Sequence, residues 1–302
     1  MKVTAAYIGV ILIWSTTPLA IKFSTDSLSF IVAVGLRMSS AALLCLAIMA
    51  VLGRFPRWDR ASLKAYGASN LGVFGAMSLS YLAVGFIPSG LLSVMFGMAP
   101  LLSGVFARWL LDDERLSWVR NLALLVALGG LFLVFRGAVS WRPDALPGLL
   151  ASLGAVALFA LSGVLVKRQA GHLDALEHTT GSLVLSVPLF VFSWLVLDGQ
   201  LPTEFSTKSV SSVAYLSVFG SVFGFMLYFY ALQALGPTQV ALIPLITPVL
   251  ALALGHVLAD EVIAPATIAG GVLILVALAL YQLGDGLRAR MRSQTRGPSV
   301  TG

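Results

Sequence analysis

The sequence predicts an all-α integral membrane protein of ten transmembrane helices, arranged as two inverted five-helix repeats around a central cavity. The chain of 302 residues is 58% hydrophobic and only 11% charged, whereas soluble domains carry about 25% charged residues. Ten apolar stretches are long enough to cross a bilayer, which takes about 20 residues each. Each set of five carries the same series of a tyrosine, two prolines and a glutamate: Tyr81, Pro88, Pro100 and Glu114, then Tyr230, Pro237, Pro248 and Glu261.

The ten predicted spans follow one another with short links. Every Asp and Glu lies outside the spans or at their ends, as expected because a carboxylate at the bilayer centre costs about 3 kcal/mol. The first span lacks a convincing cleavage site for a secretory signal, so we interpret it as a retained helix. The spans cover residues 4–24, 30–52, 66–85, 89–111, 118–136, 146–166, 178–197, 210–232, 237–258 and 264–283. They define a first repeat at 1–143, a second at 144–284 and a basic cytoplasmic tail at 285–302.

The distribution of basic residues predicts the orientation. With the N-terminus in the cytoplasm, fourteen of the 19 Lys and Arg residues lie on the cytoplasmic side and five on the outer side, in agreement with the positive-inside rule. Both termini are therefore predicted to be cytoplasmic. Because five is odd, two five-helix repeats then run in opposite directions, as is typical of secondary transporters. The net charge of +6 follows from this topology and from anionic lipid headgroups, so nucleic acid is not expected as a partner.

An offset of about 145–149 residues pairs further positions in the two halves. Spans five and ten each contain a glycine pair, Gly129-Gly130 and Gly270-Gly271. Spans one and six also match, with Gly9, Trp14 and Lys22 corresponding to Gly154, Phe159 and Lys167. The repeat therefore extends over all five spans of each half.

Aromatic, methionine and hydroxyl side chains in the middle of the spans form the candidate substrate site. On span three, Asn70 and three following residues recur at spacings of 4, 4 and 3, which places them on one helix face. An uncharged set of this kind suits a flat, partly apolar solute that needs a few hydrogen bonds, although such side chains also pack against neighbouring helices. The candidates are Trp14, Ser15, Asn70, Phe74, Ser78, Tyr81, Met95, Phe96, Met98, Phe159, Ser162, Phe223, Tyr230, Gln239, Ile243 and Thr247.

Five prolines inside the spans are predicted to kink their helices and to act in gating. A proline in a helix interior removes a backbone hydrogen bond, and such breaks in membrane proteins often line cavities. Pro100 and Pro248 occupy matching depths in the two halves, which favours a functional role for this pair over a packing kink. The five are Pro18, Pro100, Pro188, Pro244 and Pro248.

Several absences from the sequence narrow the function. No carboxylate lies deep in a predicted span, so we expect weak or no proton coupling, since proton-driven carriers usually keep Asp, Glu or His there. Arg37 lies within two turns of the outer end of span two, near enough for its side chain to reach the interface. The sequence has no P-loop motif, and one cysteine and three histidines are too few for a metal cluster. Asp112-Asp113-Glu114 has no second acidic partner motif, so neither an enzyme nor a cofactor is expected.

Three features are shared with a known family. They are Trp14-Ser15 with Pro18 in span one, the short Gly/Pro turns before spans four and nine, and the Asp-Glu-Arg-Leu-Ser run at 113–117, with Asp260-Glu261 as its counterpart. In these the chain resembles the EamA-type drug/metabolite transporters over essentially its whole length. The overall sequence is most similar to the YddG-type exporters of aromatic amino acids, which are bacterial inner-membrane proteins. The resemblance implies a central cavity lined mainly by spans one, three, four, six, eight and nine, with spans five and ten at the periphery.

Three functions stay open at this point. The first is export of aromatic or other hydrophobic amino acids and related small metabolites across the bacterial inner membrane by alternating access, as a facilitator or exchanger. The second is a broad-specificity drug or cation exporter of the same fold, although the lack of a membrane carboxylate weighs against cation specificity. The third is a membrane enzyme or scaffold, which the missing catalytic residues and minimal loops disfavour. The expected partners are a small solute and the lipid bilayer, and the chain is expected to be a monomer, with a dimer as the alternative.

Overall fold

The computed structural model describes residues 2–110, 118–141, 143–169, 173–224, 227 and 243–295, and nearly all of them are helical. The first half contains α1 (Lys2–Ser24), α2 (Phe30–Val51), α3 (Arg60–Asn70), π1 (Leu71–Ala76), α4 (Met77–Ala83), α5 (Ser89–Phe96), α6 (Ala99–Leu110) and α7 (Trp118–Trp141). After a short 3₁₀ turn at Pro143–Ala145, the second half contains α8 (Leu146–Gln169), α9 (Ala175–Leu197), α10 (Thr207–Tyr215), π2 (Leu216–Phe223), α11 (Ile243–Ala259) and α12 (Pro265–Thr295).

The helices are those of an integral membrane protein. Within the described residues, six segments are long and apolar enough to cross a bilayer: Val3–Ser24, Phe30–Val51, Ser89–Leu110, Asn121–Ala138, Pro143–Val166 and Ala175–Leu197. Two shorter apolar helices, Ile246–Ala259 and Pro265–Tyr281, follow in the second half. The prediction of an all-helical membrane protein is therefore confirmed.

Local capping explains where several helices begin. Ser29, Asp59, Asp174 and Ser206 each precede a helix, and each side chain accepts a hydrogen bond from a backbone N–H of the first turn. Such residues satisfy N–H groups that have no partner inside the helix. At the C-terminal ends of α2 and α9, Gly53 and Gly199 adopt φ values of 66° and 64°, a conformation that glycine takes without a steric penalty.

The cap at Asp59 gives a pH-dependent prediction. The backbone N–H of Ser62 and that of Ala61 donate to Asp59 Oδ1, and these bonds, with that of Ser62 foremost, lower the pKa of Asp59. A depressed pKa contributes stability above the unfolded value of about 3.9, and this contribution is lost as the pH falls through the folded value. We expect Asp59→Ala to lower Tm by about 2 °C at pH 7, and Asp59→Asn, which still caps, to match the wild type. The Tm difference between the wild type and Asp59→Ala should be smaller at pH 3 than at pH 7. An equal difference between these two proteins at both pH values would contradict this prediction.

Three predicted spans are not continuous α-helices. Span three passes through π1 between α3 and α4, and the described part of span eight passes from α10 into π2. The two π segments therefore lie at corresponding places in the two halves. Span four is interrupted at Gly97 and Met98, between α5 and α6. The break comes just before Pro100, whose ring is incompatible with an uninterrupted helix at this point.

Helices from the two halves pack against one another throughout the bundle. Helix α7 lies along α12, α2 along α9, α1 along α11, and α8 along α3, π1 and α4. The α7–α12 contact runs through the glycine pairs predicted from the repeat. A Cβ at Gly130 would lie 2.7 Å from the Gly270 carbonyl oxygen, so only glycine permits this approach.

Adjacent glycines in α7 provide a matched test of this packing. We expect Gly130→Ala to destabilise the protein by about 1–3 kcal/mol, because the new methyl group collides with backbone atoms of α12. A Cβ at Gly129 would meet no atom within 4 Å. Gly129→Ala should therefore be neutral or stabilising, since alanine favours helix by about 1 kcal/mol over glycine. Thermal unfolding in detergent measures both variants, and equal effects would refute the proposed packing.

The C-terminal helix extends beyond the predicted end of span ten. The sequence predicted a separate tail from residue 285, whereas α12 continues to Thr295. The segment that follows residue 284 contains Gly286, which disfavours helix, but also the good helix formers Leu287, Ala289 and Met291, and it has no proline before Pro298, so the helix can continue through it.

Candidate functional site

The two ends of the bundle are each held together by side chains from both halves. We call them the Glu261 end and the Glu177 end. Helix α1 finishes at the Glu261 end, where Lys22 contacts Glu261. Helix α8 begins there too, because a Cβ at Gly148 would lie 2.9 Å from Ile87 Cγ2, just before α5. The Glu177 end holds the link between α2 and α3 and the start of α9.

Glu261 is a buried carboxylate that joins three separate segments. Lys22 Nζ of α1 donates to its Oε1 at 2.7 Å. At the start of α5, the Ser89 N–H donates to Oε1 at 2.8 Å, while the Ser89 hydroxyl and the Gly90 N–H donate to Oε2 at 3.1 and 3.3 Å. The Glu261 side chain is only 2% exposed. It therefore caps α5 and neutralises Lys22 at once, and negative charge at a helix N-terminus is favourable.

Close packing supports the Glu261 contacts. A Cβ at Gly90 would lie 2.8 Å from Leu252 Cα, so α5 and α11 touch through their backbones. The ring of His256 lies within 3.2 Å (Nδ1) of the Glu261 carbonyl oxygen. Asp260, which precedes Glu261, has φ 49°, and this turn directs the following carboxylate back towards α5.

A second set of contacts at this end joins the α1–α2 link to the start of α10. Ser206 N–H donates to Ser27 Oγ at 2.9 Å, and Ser27 N–H donates to Ser209 Oγ at 3.0 Å. Lys208 Nζ lies 3.6 Å from Asp26 Oδ1. Both sets of bonds cross from one half of the chain to the other, so they tie the two halves together at the Glu261 end.

The Glu177 end is joined by two ion pairs. Arg57 donates from Nε and NH2 to the two carboxylate oxygens of Glu177, at 2.8 and 3.1 Å. Arg54 pairs with Asp174. Burial raises the pKa of Asp174, but the backbone N–H of Glu177 and the Arg54 guanidinium outweigh this and lower it. These pairs fix the α2–α3 link to the start of α9.

The predicted polar face of span three is buried and incompletely hydrogen-bonded. Asn70 Nδ2 donates to the carbonyl oxygens of Tyr66 and Ser182, at 2.9 and 3.2 Å. Its Oδ1 atom, Ser78 Oγ and the Tyr81 hydroxyl are buried and have no hydrogen-bond partner in the described part of the protein. An unsatisfied buried polar atom costs about 1–3 kcal/mol. The face therefore keeps several polar atoms available for a further hydrogen-bonding group.

Aromatic candidates on spans one and six make equivalent contacts. The Phe159 and Phe96 rings meet edge to face, with centroids 5.6 Å apart. At the corresponding place, Trp14 of span one packs against the cluster that contains Ile243 of span nine. The structure thus places Phe159 of span six against Phe96 of span four, and Trp14 of span one against the cluster that contains Ile243 of span nine. Phe74 instead contacts Phe190 of α9, at a centroid distance of 5.0 Å.

The remaining described candidates differ in their burial and in their hydrogen-bond partners. Ser15 donates to the Ile11 carbonyl of its own helix, and Ser162 donates to the Ala68 carbonyl at 2.9 Å. Phe223 is 46% exposed and tilts against Phe219. Three others are buried in the helix bundle: Met95, Met98 and Thr247. Tyr230 and Gln239 lie outside the described residues.

The candidate gating prolines differ in their surroundings. Pro18 and Pro248 are buried within α1 and α11, whereas Pro188 is exposed on an unbroken α9. Pro100 follows the break between α5 and α6. Pro244 lies in α11, but its side chain is outside the described part of the structure.

Two features of the site were missed or misjudged from the sequence. The expectation that the Arg37 side chain reaches the interface is wrong, because it is 3% exposed and its Nε donates to Ser221 Oγ at 3.2 Å. The Glu261 contacts were also missed. The sequence pattern that could have predicted these contacts is Pro88-Ser89-Gly90, because it starts a helix whose first N–H groups need an acceptor. Among the described residues, no group of three or more His, Cys, Asp or Glu side chains could hold a metal ion.

Comparisons with known proteins agree with this architecture. The model of the EamA-like transporter family matches residues 2–136 and 146–282, one match for each half. The uncharacterized transporter YoaV of Bacillus subtilis is 26% identical over 277 residues, which cover 91% of this chain and 94% of YoaV. The uncharacterized inner membrane transporter YedA of Escherichia coli K12 is 24% identical, over 93% of this chain and 91% of YedA.

Two further similarities extend the comparison. Protein PecM of Dickeya dadantii is 27% identical over 217 residues, or 72% of this chain and 71% of PecM. A crystal structure with 19% sequence identity superimposes with a TM-score of 0.62, covering 94% of this chain and 98% of that chain, which shows a shared fold. The chain belongs to the EamA-like transporter family and is a multi-pass membrane protein built from two EamA repeats.

Proposed function

We propose that this EamA protein exports aromatic or other hydrophobic amino acids and related small metabolites across the bacterial inner membrane, as the YddG-type exporters do. The observation that carries this proposal is the polar face of span three. It offers the unsatisfied Asn70, Ser78 and Tyr81 atoms. A Cβ at Gly72 of the same span would lie 3.9 Å from Phe159 Cδ2, so the Phe96–Phe159 contact lies beside this span. Hydrogen-bonding groups combined with aromatic surface suit a flat solute with a polar end.

The proposed architecture is ten spans in two inverted repeats around a central cavity. Helices α1 and α8 correspond in the repeat, yet α1 ends where α8 begins, at the Glu261 end. Glycine contacts also match across the halves. A Cβ at Gly9 would lie 3.1 Å from Leu227, and one at Gly154 would lie 3.1 Å from Leu79. The two π segments form a further matched pair. The glycine contacts and the π segments support the repeat, and the opposite directions of α1 and α8 favour its inversion.

Alternating access follows from this architecture. With both termini in the cytoplasm, the Glu261 end faces outwards and its cross-repeat bonds close the outer side. Release of these bonds would open the outer side, and release of the Arg54–Asp174 and Arg57–Glu177 pairs, which also join the two halves, would open the inner side. Pro100 and Pro248, at matching depths, are the proposed hinge points. No Asp or Glu of the sequence lies deep in a predicted span, where proton-driven carriers usually keep one, so transport is proposed to be facilitated diffusion or exchange with weak or no proton coupling.

Efflux from proteoliposomes tests this function. Vesicles are loaded with tryptophan, phenylalanine, threonine or a cationic dye, and efflux is followed with and without a pH gradient. We expect saturable efflux of the two aromatic amino acids that does not require the gradient. Movement of the dye alone would favour the drug or cation exporter, strict dependence on the gradient would refute the proposed mechanism, and no movement of any probe would refute transport of these solutes.

A further inference from the structure

Arg37 is a buried cation that the proposed function leaves without a role. It lies on α2, and the residue is only 3% exposed. Its Nε donates to Ser221 Oγ at 3.2 Å, but its NH1 atom is buried without a hydrogen-bond partner. Among the described residues, no Asp or Glu forms an ion pair with it. A guanidinium keeps its charge in proteins, so the charge is buried here without a counter-ion, which is costly.

The guanidinium lies against the π2 segment. A Cβ at Gly220 would lie 3.1 Å from Arg37 NH2, so the absence of a side chain at Gly220 makes room for the guanidinium. The Ser217 hydroxyl donates to the Arg37 backbone carbonyl at 3.2 Å. Ser221 and Gly220 of the irregular helix therefore lie beside the charged group. π-Helical segments occur frequently at functional sites.

The other half of the protein shows that the fold does not require a cation at this position. An offset of 145 residues pairs Arg37 with Ser182 on α9. Ser182 also lies beside the irregular span of the opposite half, where its carbonyl accepts a hydrogen bond from Asn70, next to π1. The equivalent junction thus packs with a small neutral side chain. Arg37 therefore carries a charge that its counterpart in the other repeat lacks. Charges within the membrane commonly mark a solute pathway.

We propose that Arg37 is an anion-recognition site that binds the carboxylate group of the transported solute. This inference rests on the proposed function and deepens it by naming the chemical group that is recognised. The free NH1 and the neighbouring NH2 present N–H donors in the planar fork that matches a carboxylate. The solute supplies the missing counter-ion, so binding relieves the buried charge. A carboxylate is then preferred over a neutral group of the same shape.

Indole-3-acetate and indole-3-acetamide form a matched pair of probes, since they share the ring and differ in the charge of one group. Their binding is measured by thermal stabilisation of the full-length protein in detergent. We expect the wild type to bind the acetate more tightly than the acetamide. Arg37→Gln should weaken binding of the acetate by at least about tenfold and leave the acetamide unchanged. Arg136→Gln, which removes an exposed charge from α7, should retain the wild-type preference.

Each outcome of this experiment decides the proposal. Equal stabilisation of the wild type by the two probes, no stabilisation by either, or a preference that survives Arg37→Gln would overturn it. Should Arg37→Gln not fold, Arg37→Lys keeps the charge but loses the fork, and a reduced acetate preference is expected. Tryptophan efflux separates the two proposals. If tryptophan efflux is absent but the wild type still prefers the acetate through Arg37, the proposed exported solute is refuted and the anion site stands. If efflux is normal but there is no such preference, the anion site is refuted and the proposed function stands.

Discussion

Replacement of Glu261 by glutamine is expected to lower the free energy of unfolding by about 3 kcal/mol and to open the end of the bundle that Glu261 closes. The carboxylate accepts four hydrogen bonds, from Lys22, from two donors of Ser89 and from Gly90. A glutamine amide group would point N–H donors at donors. Removal of one partner of a buried ion pair costs about 3–5 kcal/mol, and the 35% exposure of the Lys22 side chain places the effect at the lower end.

Asp260 provides the control for this prediction. Asp260→Asn removes the same charge from the adjacent exposed residue, and asparagine tolerates the positive φ of 49°. We expect its thermal stability to equal that of the wild type. Opening is measured by the reactivity of a cysteine introduced at Ile87, which is 2% exposed, in the Glu261→Gln and Asp260→Asn backgrounds with Cys45 replaced. Equal stability and equal reactivity in the two backgrounds would show that Glu261 does not close this end.

Replacement of Phe159 by alanine is expected to reduce the efflux of aromatic amino acids about tenfold. Phe159 contacts Phe96 at 5.6 Å between centroids and is itself 37% exposed, so the described residues leave part of its surface uncovered, and the proposed function assigns this surface to the solute. Loss of an aromatic stacking contact and of its apolar surface costs about 1–2 kcal/mol, which corresponds to this factor.

Phe132 of α7 is the matched control for Phe159. It is 64% exposed on a helix that packs along α12, which the proposed architecture places at the periphery. Phe132→Ala removes the same atoms and should leave tryptophan efflux unchanged. Equal loss of efflux in both variants would place Phe159 outside the solute pathway. Thermal unfolding of the two variants separates a transport defect from a folding defect.

Much of the helical framework could be predicted from the sequence because its signals are local. Apolar length identified helices such as α2 and α8, and the predicted ends agree with the structure to within a few residues. The glycine pairs of spans five and ten and the match of Trp14 with Phe159 were read as marks of the repeat. The contact between Gly130 and Gly270 and the contacts of Trp14 and Phe159 became visible only in the structure.

The remaining features depend on contacts between residues far apart in the chain. A π segment changes the backbone hydrogen bonds without a distinct apolar period, so π1 and π2 left no signal that we recognised. The Lys22–Glu261 pair joins opposite ends of the sequence. The position of Arg37 near the end of span two suggested that its side chain reaches the interface. The structure instead pairs it with the hydroxyl of Ser221, a residue of span eight that is far away in the sequence.

The opposite orientation of the two repeats is the central claim, and cysteine labelling tests it directly. Phe55 and Leu201 lie in corresponding links, after α2 and after α9, and are 71% and 77% exposed. Each is replaced by cysteine in a chain whose Cys45 has been removed, and cells are treated with a membrane-impermeant maleimide. We predict that Leu201→Cys is labelled in intact cells and that Phe55→Cys is labelled only after permeabilisation. Labelling of both from the same side of the membrane would contradict the inverted arrangement and the transport cycle built on it.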